Sequence, residues 1–532
     1  MLWSLAEIFE LTHGPADLIV VGATIHSVDD ACASPRAFAV AGDRFVHVGS
    51  VDGAMALRGP QTQTLDLAGR TVLPGFIDAH LHLTNLGLKL DAAALDGAQS
   101  YDEVVARARA FAESHSGEWI LGRGWDQNLW ATAAFPTHDA LSAAIPDRPV
   151  ALSRVDGHAL VANARAMALA GIDATTPDPA GGRIARDGTG AATGLFVDAA
   201  QSLIYRKVPA PSHERLVAAT RAAIAECNRW GITGVAEPGC NDAVLAAHAA
   251  LVEAGGYSMR NHAMLDDEPQ LLERRLRDGV VDGAYGGRLS VRAVKMYADG
   301  ALGSRGAALL APYSDDPGNR GLILTPRERI EEVARAAIAA GFQPCVHAIG
   351  DRANRMVLDA YQSVLAGCRS SNLPLPRIEH AQVIAPEDIP RFARLGVAAS
   401  VQATHMTSDF AWAKKRLGDE RIAGAYAWRA LIDAGALVAN GTDAPVESAS
   451  TPRTFAASIS HPARAMTRRE ALASMTIWAA RANLQERVAG SIAPGKYADF
   501  VVLDRDWMIA TPAEVLATEV VGTYFGGCRV YG

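Results

Sequence analysis

The chain has 532 residues, 49% apolar and 20% charged, which allows one large core with additions and fits a globular enzyme. Its 50 Lys and Arg against 58 Asp and Glu give a net charge of −8, which argues against a nucleic-acid partner. No apolar run reaches membrane-spanning length, so no membrane partner is expected.

The first residues, Met1-Leu-Trp-Ser-Leu-Ala-Glu7, lack a basic secretory pattern. Cys32, Cys227, Cys240, Cys345, Cys368 and Cys528 are scattered, with no Cys-x-x-Cys, as in a reducing compartment; the expected location is the cytoplasm. Residues 17–70 read as short strands: Asp17–Val21, Ala23–Val28, Ala37–Val40, Arg44–Gly49 and Thr64–Asp66, with turns at Gly22, Gly42-Asp43 and Gly69. The C-terminus mirrors this with Asp499–Leu503, Glu519–Phe525 and Arg529–Tyr531. Neither end has strands enough for its own core, so residues 1–70 and 487–532 are expected to share one discontinuous β-sandwich.

Between the ends, strands alternate with helices, the pattern of a parallel α/β fold. The predicted strands are Thr71–His82, Ile232–Glu237, Arg260–Leu265, Leu289–Tyr297, Gln343–His347, Arg377–His380, Val397–Val401 and Leu437–Gly441. Eight strands alternating with helices predict a (β/α)8 TIM barrel over residues 71–486. Such a barrel uses about 30 residues per strand–helix unit. The interval from His82 to Lys295 exceeds its three units by roughly 110–120 residues. An insertion over residues 96–211, after strand one, fills that excess; its stretch Gly122-Arg-Gly-Trp-Asp-Gln-Asn-Leu-Trp130 is expected to wall the barrel mouth as a lid.

Active sites of such barrels sit at the C-terminal ends of the strands. Strand one offers His80 and His82, strand four Lys295, strand five His347, strand six His380 and strand eight Asp443. Singly, each has an ordinary explanation: a strand-end histidine is usually a hydrogen-bonded core residue, a lysine reaches solvent, and Gly-Thr-Asp-Ala-Pro is a turn. Six potential ligands on five strand ends are harder to assign to chance. Four imidazoles, a carboxylate and a lysine can hold two divalent ions if the lysine is carbamylated to a bridging carboxylate.

These residues and their flanking segments resemble the amidohydrolase superfamily, and within it the YtcJ-like branch of the amidohydrolase 3 family, which includes N-substituted formamide deformylases. The matching segments are Pro74-Gly-Phe-Ile-Asp-Ala-His-Leu-His82, Gly122-Arg-Gly-Trp-Asp126, Asp156-Gly-His-Ala-Leu-Val-Ala-Asn163 and Lys295-Met-Tyr-Ala-Asp-Gly-Ala-Leu-Gly-Ser-Arg305. They continue in His347-Ala-Ile-Gly-Asp-Arg-Ala353, Ile378-Glu-His-Ala-Gln382, Gly441-Thr-Asp-Ala-Pro445 and Gly495-Lys-Tyr-Ala-Asp-Phe-Val-Val-Leu503. One departure is Ser400-Val-Gln-Ala-Thr-His405, where relatives often carry proline at position 403.

The resemblance implies that His80, His82 and Asp443 hold a buried metal and that His347 and His380 hold a more exposed one, with carbamylated Lys295 between them. It implies one or two divalent ions, for which zinc suits the mixed nitrogen and oxygen set and iron or manganese also fit. It implies a metal-activated hydroxide that cleaves non-peptide C–N bonds of a small apolar or aromatic amide, with Asp443 passing the proton. Hydrolysis of cyclic amides, lactones or esters is the alternative chemistry. A non-catalytic regulatory protein on the same scaffold is the alternative class.

Around this set, Trp125, His158, Asp299 and Arg305 are expected to meet substrate, while Glu379 and Gln382 are expected to orient His380. Asp299 and Arg305 have a mutual ion pair as their alternative, and His158 and Asn163 have a role as loop staples as the alternative to substrate contact. Trp130, Trp412 and Trp428 divide between pocket wall and core. The expected partner is a small-molecule substrate, with a homodimer allowed for.

Overall fold

The structure, a computed structural model, describes residues 14–532 except 133, 156, 158, 180–181, 367–372 and 462. Eight parallel strands run in chain order around the central barrel. They are β1 (Phe76–Asp78), β2 (Ile232–Cys240), β3 (Arg260–Asp266), β4 (Leu289–Tyr297), β5 (Gln343–Ala348), β6 (Arg377–His380), β7 (Ala398–Val401) and β8 (Val438–Asn440). Their residues are buried almost without interruption, as parallel strands covered on both faces require. The covering helices show the matching stripe: on Arg327–Ala339, after β4, Ile330, Val333, Ala334, Ala337 and Ile338 are buried. Between β8 and β1 the ladder gives way to three backbone bonds. Ala79 N–H donates to Asn440 O at 3.2 Å, Asp443 N–H to His80 O at 2.7 Å, and His82 N–H to Ala444 O at 2.9 Å. The (β/α)8 barrel is thus nearly closed.

Strand one is not the single element Thr71–His82. Thr71–Pro74 pairs antiparallel with Phe500–Leu503, whereas Phe76–Asp78 pairs parallel with β2. Gly75 divides them, packed so closely on Thr233 that a Cβ there would collide with its side chain. The apolar run therefore serves two sheets in turn. His80 and His82 lie beyond the strand end, so strand alternation is not what brings them together.

Thr71–Pro74 also joins the two ends of the chain. One flanking sheet contains Arg44–Gly49, Ala37–Ala41, Ala16–Val21 and Arg58–Asp66; the other contains Thr24–Ile25, Thr71–Pro74, Phe500–Leu503, Val520–Phe525 and Cys528–Tyr531. Their shared core packs Phe38 edge-on against Phe45 and Phe500, with centroids 5.2 and 5.1 Å apart, and stacks Phe500 on Tyr524 at 4.3 Å. Thr71–Pro74 stands between Thr24–Ile25 and Phe500–Leu503, and the start of Arg44–Gly49 meets the C-terminal segment directly through an antiparallel bridge between Arg44 and Tyr497.

Residues Thr84–Ala222 form a separate compact unit after β1, wider than the expected 96–211. Its six-stranded sheet runs Gly182–Arg186, Ala192–Asp198, Ala159–Ala162, Val150–Arg154, Ile120–Trp125 and Ala93–Ala94. The last of these has two residues, too few for a period to show in sequence. Among the described residues no helix is long and apolar enough to cross a membrane.

Candidate metal centre

The loops leaving β1 and β8 bring the first side chains together. Asp443 Oδ1 lies 3.4 Å from His82 Nε2 and 3.6 Å from His80 Nε2, while Oδ2 lies 3.6 Å from Nε2 of His405, in the helix Ala403–Arg421 that follows β7. Lys295, fully buried on β4, has Nζ 3.5 Å from His80 Nε2. His380 completes the cluster, its ring centroid 4.9 Å from that of His80 and 4.5 Å from that of His347. All six predicted ligands thus meet at the C-terminal end of the barrel. Two of them stand on unusual backbone: His380 at φ 72° and Asp443 at φ 57° occupy the left-handed region. That conformation costs roughly 1–3 kcal/mol per residue and persists only where the surroundings enforce it.

Buried partners set which ring nitrogen faces inward. Glu379 Oε2 lies 2.6 Å from His80 Nδ1, and Arg377 donates to both Glu379 oxygens at 2.9 and 3.1 Å. Although burial raises it, the Arg377 charge and the His80 bond hold the Glu379 carboxyl well below the usual range. Burial and the Lys295 charge push His80 down to about 4, so its ring is neutral with Nδ1–H on Glu379 and a lone pair on Nε2. Gln402 Oε1 lies 2.7 Å from His380 Nδ1 and has the same effect there. Asp78 ties β1 to β8: it accepts from His80 N–H and Thr442 N–H at 3.0 Å and from Thr442 Oγ1 at 2.7 Å. Burial lifts its carboxyl to about 7 against those bonds.

The donor set fits a divalent cation. In His80 a nitrogen lone pair faces a carboxylate oxygen at 3.6 Å, a repulsive arrangement unless a cation lies between them. Burial also raises the Asp443 carboxyl, but the bond from His82 and the fields of His80, His380 and His405 hold it well below its ordinary value. Two atoms each about 2.0–2.1 Å from one tetrahedral ion stand about 3.3 Å apart, close to the separations observed here. Nε2 of His347 and of His405 are buried without a hydrogen-bond partner. Within His80–His82–Asp443, and again within His380–His405–Asp443, the ligand atoms lie within 4.8 Å of one another.

Among the other predicted contacts, Asp299 borders this cluster, its Oδ1 3.5 Å from His347 Nε2. Trp125 is fully buried in the core of the Thr84–Ala222 unit, its ring N–H on Leu152 O at 2.7 Å, so it packs that core rather than walling a substrate pocket. Asp299 does not pair with Arg305. It accepts backbone N–H groups of Ala308, Ile349 and Gly350 at 2.8–2.9 Å, stapling the loops after β4 and β5, and burial lifts it to about 7. Arg305 pairs with Asp315 at 3.0 Å. Gln382 donates to Asp409 and Tyr426, at 2.9 and 3.0 Å, rather than orienting His380; Gln402 occupies that place. Glu379 orients His80, not His380. Asn163 caps the helix Ala164–Ala170 and bonds Val150 N–H at 3.0 Å. His158 lies outside the described residues.

His405, Gln402, Arg377 and Asp78 were not among the expected residues, though their motifs were in view. Asp78 precedes the His-x-His pair by two positions, and His405 closes the segment that departs at Ala403. That departure has a local use: the Ala403 N–H, which proline would lack, donates to Asn440 Oδ1 at 3.2 Å.

Comparison with known proteins agrees with this geometry. The amidohydrolase family (Amidohydro_3) matches residues 63–531. The putative amidohydrolase YtcJ of Bacillus subtilis is 34% identical over 493 residues, 89% of this chain and 91% of that protein. The N-substituted formamide deformylase of Arthrobacter pascens is 28% identical over 562 residues, 97% of this chain and 98% of that protein. An uncharacterized metal-dependent hydrolase from Pyrococcus horikoshii superposes with a TM-score of 0.80 at 28% identity, over 93% of this chain and 99% of the other. The family match begins within the strand Arg58–Asp66, ends at residue 531 and takes in all six predicted ligands and His405; the chain belongs to the amidohydrolase family.

Proposed function

We propose that the chain hydrolyses a non-peptide C–N bond in a small apolar or aromatic amide, with one or two divalent ions, zinc by preference. The observation that carries this reading is Asp443, whose two oxygens face two different histidine sets at 3.4–3.6 Å. A bound ion would supply Lewis-acid polarisation of a carbonyl and a hydroxide nucleophile near neutral pH. The chain's own part is to hold and move a proton. Asp443, ionised and turned into the site by its left-handed backbone, takes the proton from the nucleophile and returns it to the leaving nitrogen. His80, His82, His347 and His380 supply imidazole nitrogens. Lys295 is proposed to carry a carbamate, because a cationic ammonium 3.5 Å from His80 would oppose the ions whereas a carbamate offers them anionic oxygens. The name of the Arthrobacter pascens relative, a formamide deformylase, favours N-acyl or N-formyl amines as substrates.

The test is a panel of N-formyl and N-acyl amines, lactams and esters, offered to zinc-loaded protein. Hydrolysis of the open-chain amides, abolished by a chelator and restored by zinc, is the expected result. Turnover of lactones or esters alone would move the assignment to C–O chemistry.

A further inference from the structure

His405 faces Asp443 Oδ2 but is given no chemical role in the proposed function, although it shares the geometry of the residues that have one. Its Nε2 lies 3.6 Å from Asp443 Oδ2, beyond hydrogen-bonding reach and buried without a partner. Its ring stacks on that of His380, with centroids 6.1 Å apart and planes 17° from parallel. The intervening Gln402 accepts from His380 Nδ1–H, which places the lone pair of the neutral ring on His380 Nε2. Asn440 receives the Ala403 N–H and so fixes the first turn of the helix that carries His405. Asp443 presents Oδ1 to His80 and His82 and Oδ2 to His405, and each pair is spaced as two ligands of one ion would be.

We infer that His405 is a further metal ligand, which with His380 and Asp443 Oδ2 holds a second divalent ion, so that the Asp443 carboxylate bridges the two ions. This rests on the reading of the site as a metal centre. It adds an imidazole from the helix after β7 to a set otherwise drawn from the ends of β1, β4, β5, β6 and β8.

The test begins with the wild-type chain, which needs no variant to fold. In a crystal structure of the zinc-loaded protein, His405 Nε2 is expected about 2.0–2.1 Å from a zinc ion that also contacts Asp443 Oδ2. Zinc bound by the other residues with His405 Nε2 more than about 3 Å from any ion would overturn the inference and leave the metal-centre reading standing. Protein that binds no zinc at all would overturn both. In solution, His405→Gln and His405→Ala are expected to weaken the second zinc by at least about tenfold in chelator competition and to reduce the visible absorption of cobalt-loaded protein, with the first ion unaffected. Unchanged affinity for both ions and an unchanged cobalt spectrum in folded His405→Gln would also overturn it.

Discussion

Asp443 is assigned two tasks, and substitution separates them. Asparagine keeps a neutral oxygen for an ion but has no proton-accepting state near neutral pH. In Asp443→Asn with zinc restored, kcat is therefore expected to fall by about 10²–10⁴-fold, the usual share of general acid–base catalysis. Steady-state kinetics on metal-replete variant would check this; activity within about tenfold of wild type would assign the proton to another group. Glu379 acts one shell further out. Glu379→Gln removes the carboxylate from His80 Nδ1 and leaves the buried Arg377 without its counter-charge. Metal affinity should drop about 10–100-fold, and stability by about 3–5 kcal/mol, the cost of breaking a buried ion pair. Chelator competition and thermal unfolding read the two effects separately. The candidate ligands were legible in sequence because each falls at or near the C-terminal end of a predicted strand. Their partners were not. Gln382 and Gln402 are equally plausible beside His380 on paper, and only the paths of β6 and β7 decide that Gln402 reaches its Nδ1.

At the scale of elements, the site depends on how closely β8 approaches the turn after β1. A Cβ added at Gly441 would meet the His80 backbone nitrogen and the Asp78 carboxylate, neither of which can yield without moving a ligand. Gly441→Ala is expected to lose metal and activity in a chain that still folds. Gly188→Ala, on open surface with nothing within 4 Å, is the matched control and should behave as wild type. Metal content by elemental analysis distinguishes them, and full zinc occupancy in Gly441→Ala would refute the argument. The same scale explains the misread first strand. Thr71–Phe76 is uniformly apolar whether it serves one sheet or two, so hydropathy cannot show the change of sheet; the contact of Gly75 with Thr233 can. Trp125 was misplaced for a related reason: an aromatic beside glycines looks alike in a pocket wall and in a core.

Across the whole molecule, the two chain ends act through one core. Phe500 stacks on Tyr524 and meets Phe38, so Phe500→Ala empties a site lined from both termini. It should cost about 3–5 kcal/mol, a large part of a typical stability, and lower the unfolding temperature while leaving the metal ligands in place. Acid sensitivity is a second whole-molecule property. His262, buried in the barrel with Nε2 3.1 Å from Gln343 Oε1, is pushed down to about 3 by burial and by the Arg377 charge. Its folded value lies below its unfolded value of 6.5, so the unfolded chain binds the extra proton between the two. The contribution of neutral His262 is present above pH 6.5 and is lost as pH falls toward 3. Asp78 and Asp299, raised to about 7, act with the opposite sign, losing stability as pH rises from 3.8 through 7. Comparing His262→Gln with wild type isolates one group: unfolding of the wild type should take up one more proton near pH 5, read from the pH dependence of its stability. Parallel pH profiles would show that His262 does not carry this linkage.

Residue order alone gave the alternation of strands and helices, the presence of an insertion after the first strand and the types of the candidate ligands. These are local matters of period, length and chemistry. The tertiary structure alone decided that Asp443 faces two histidine sets, that Gln402 rather than Gln382 reaches His380, and that Thr71–Pro74 stitches the two termini together. Each of these depends on the direction of a side chain or a strand relative to residues outside its own segment, 22 positions away for His380 and Gln402 and more than 400 for Thr71–Pro74 and Phe500–Leu503. Barrel closure and backbone conformation set those directions, and neither leaves a mark in residue order.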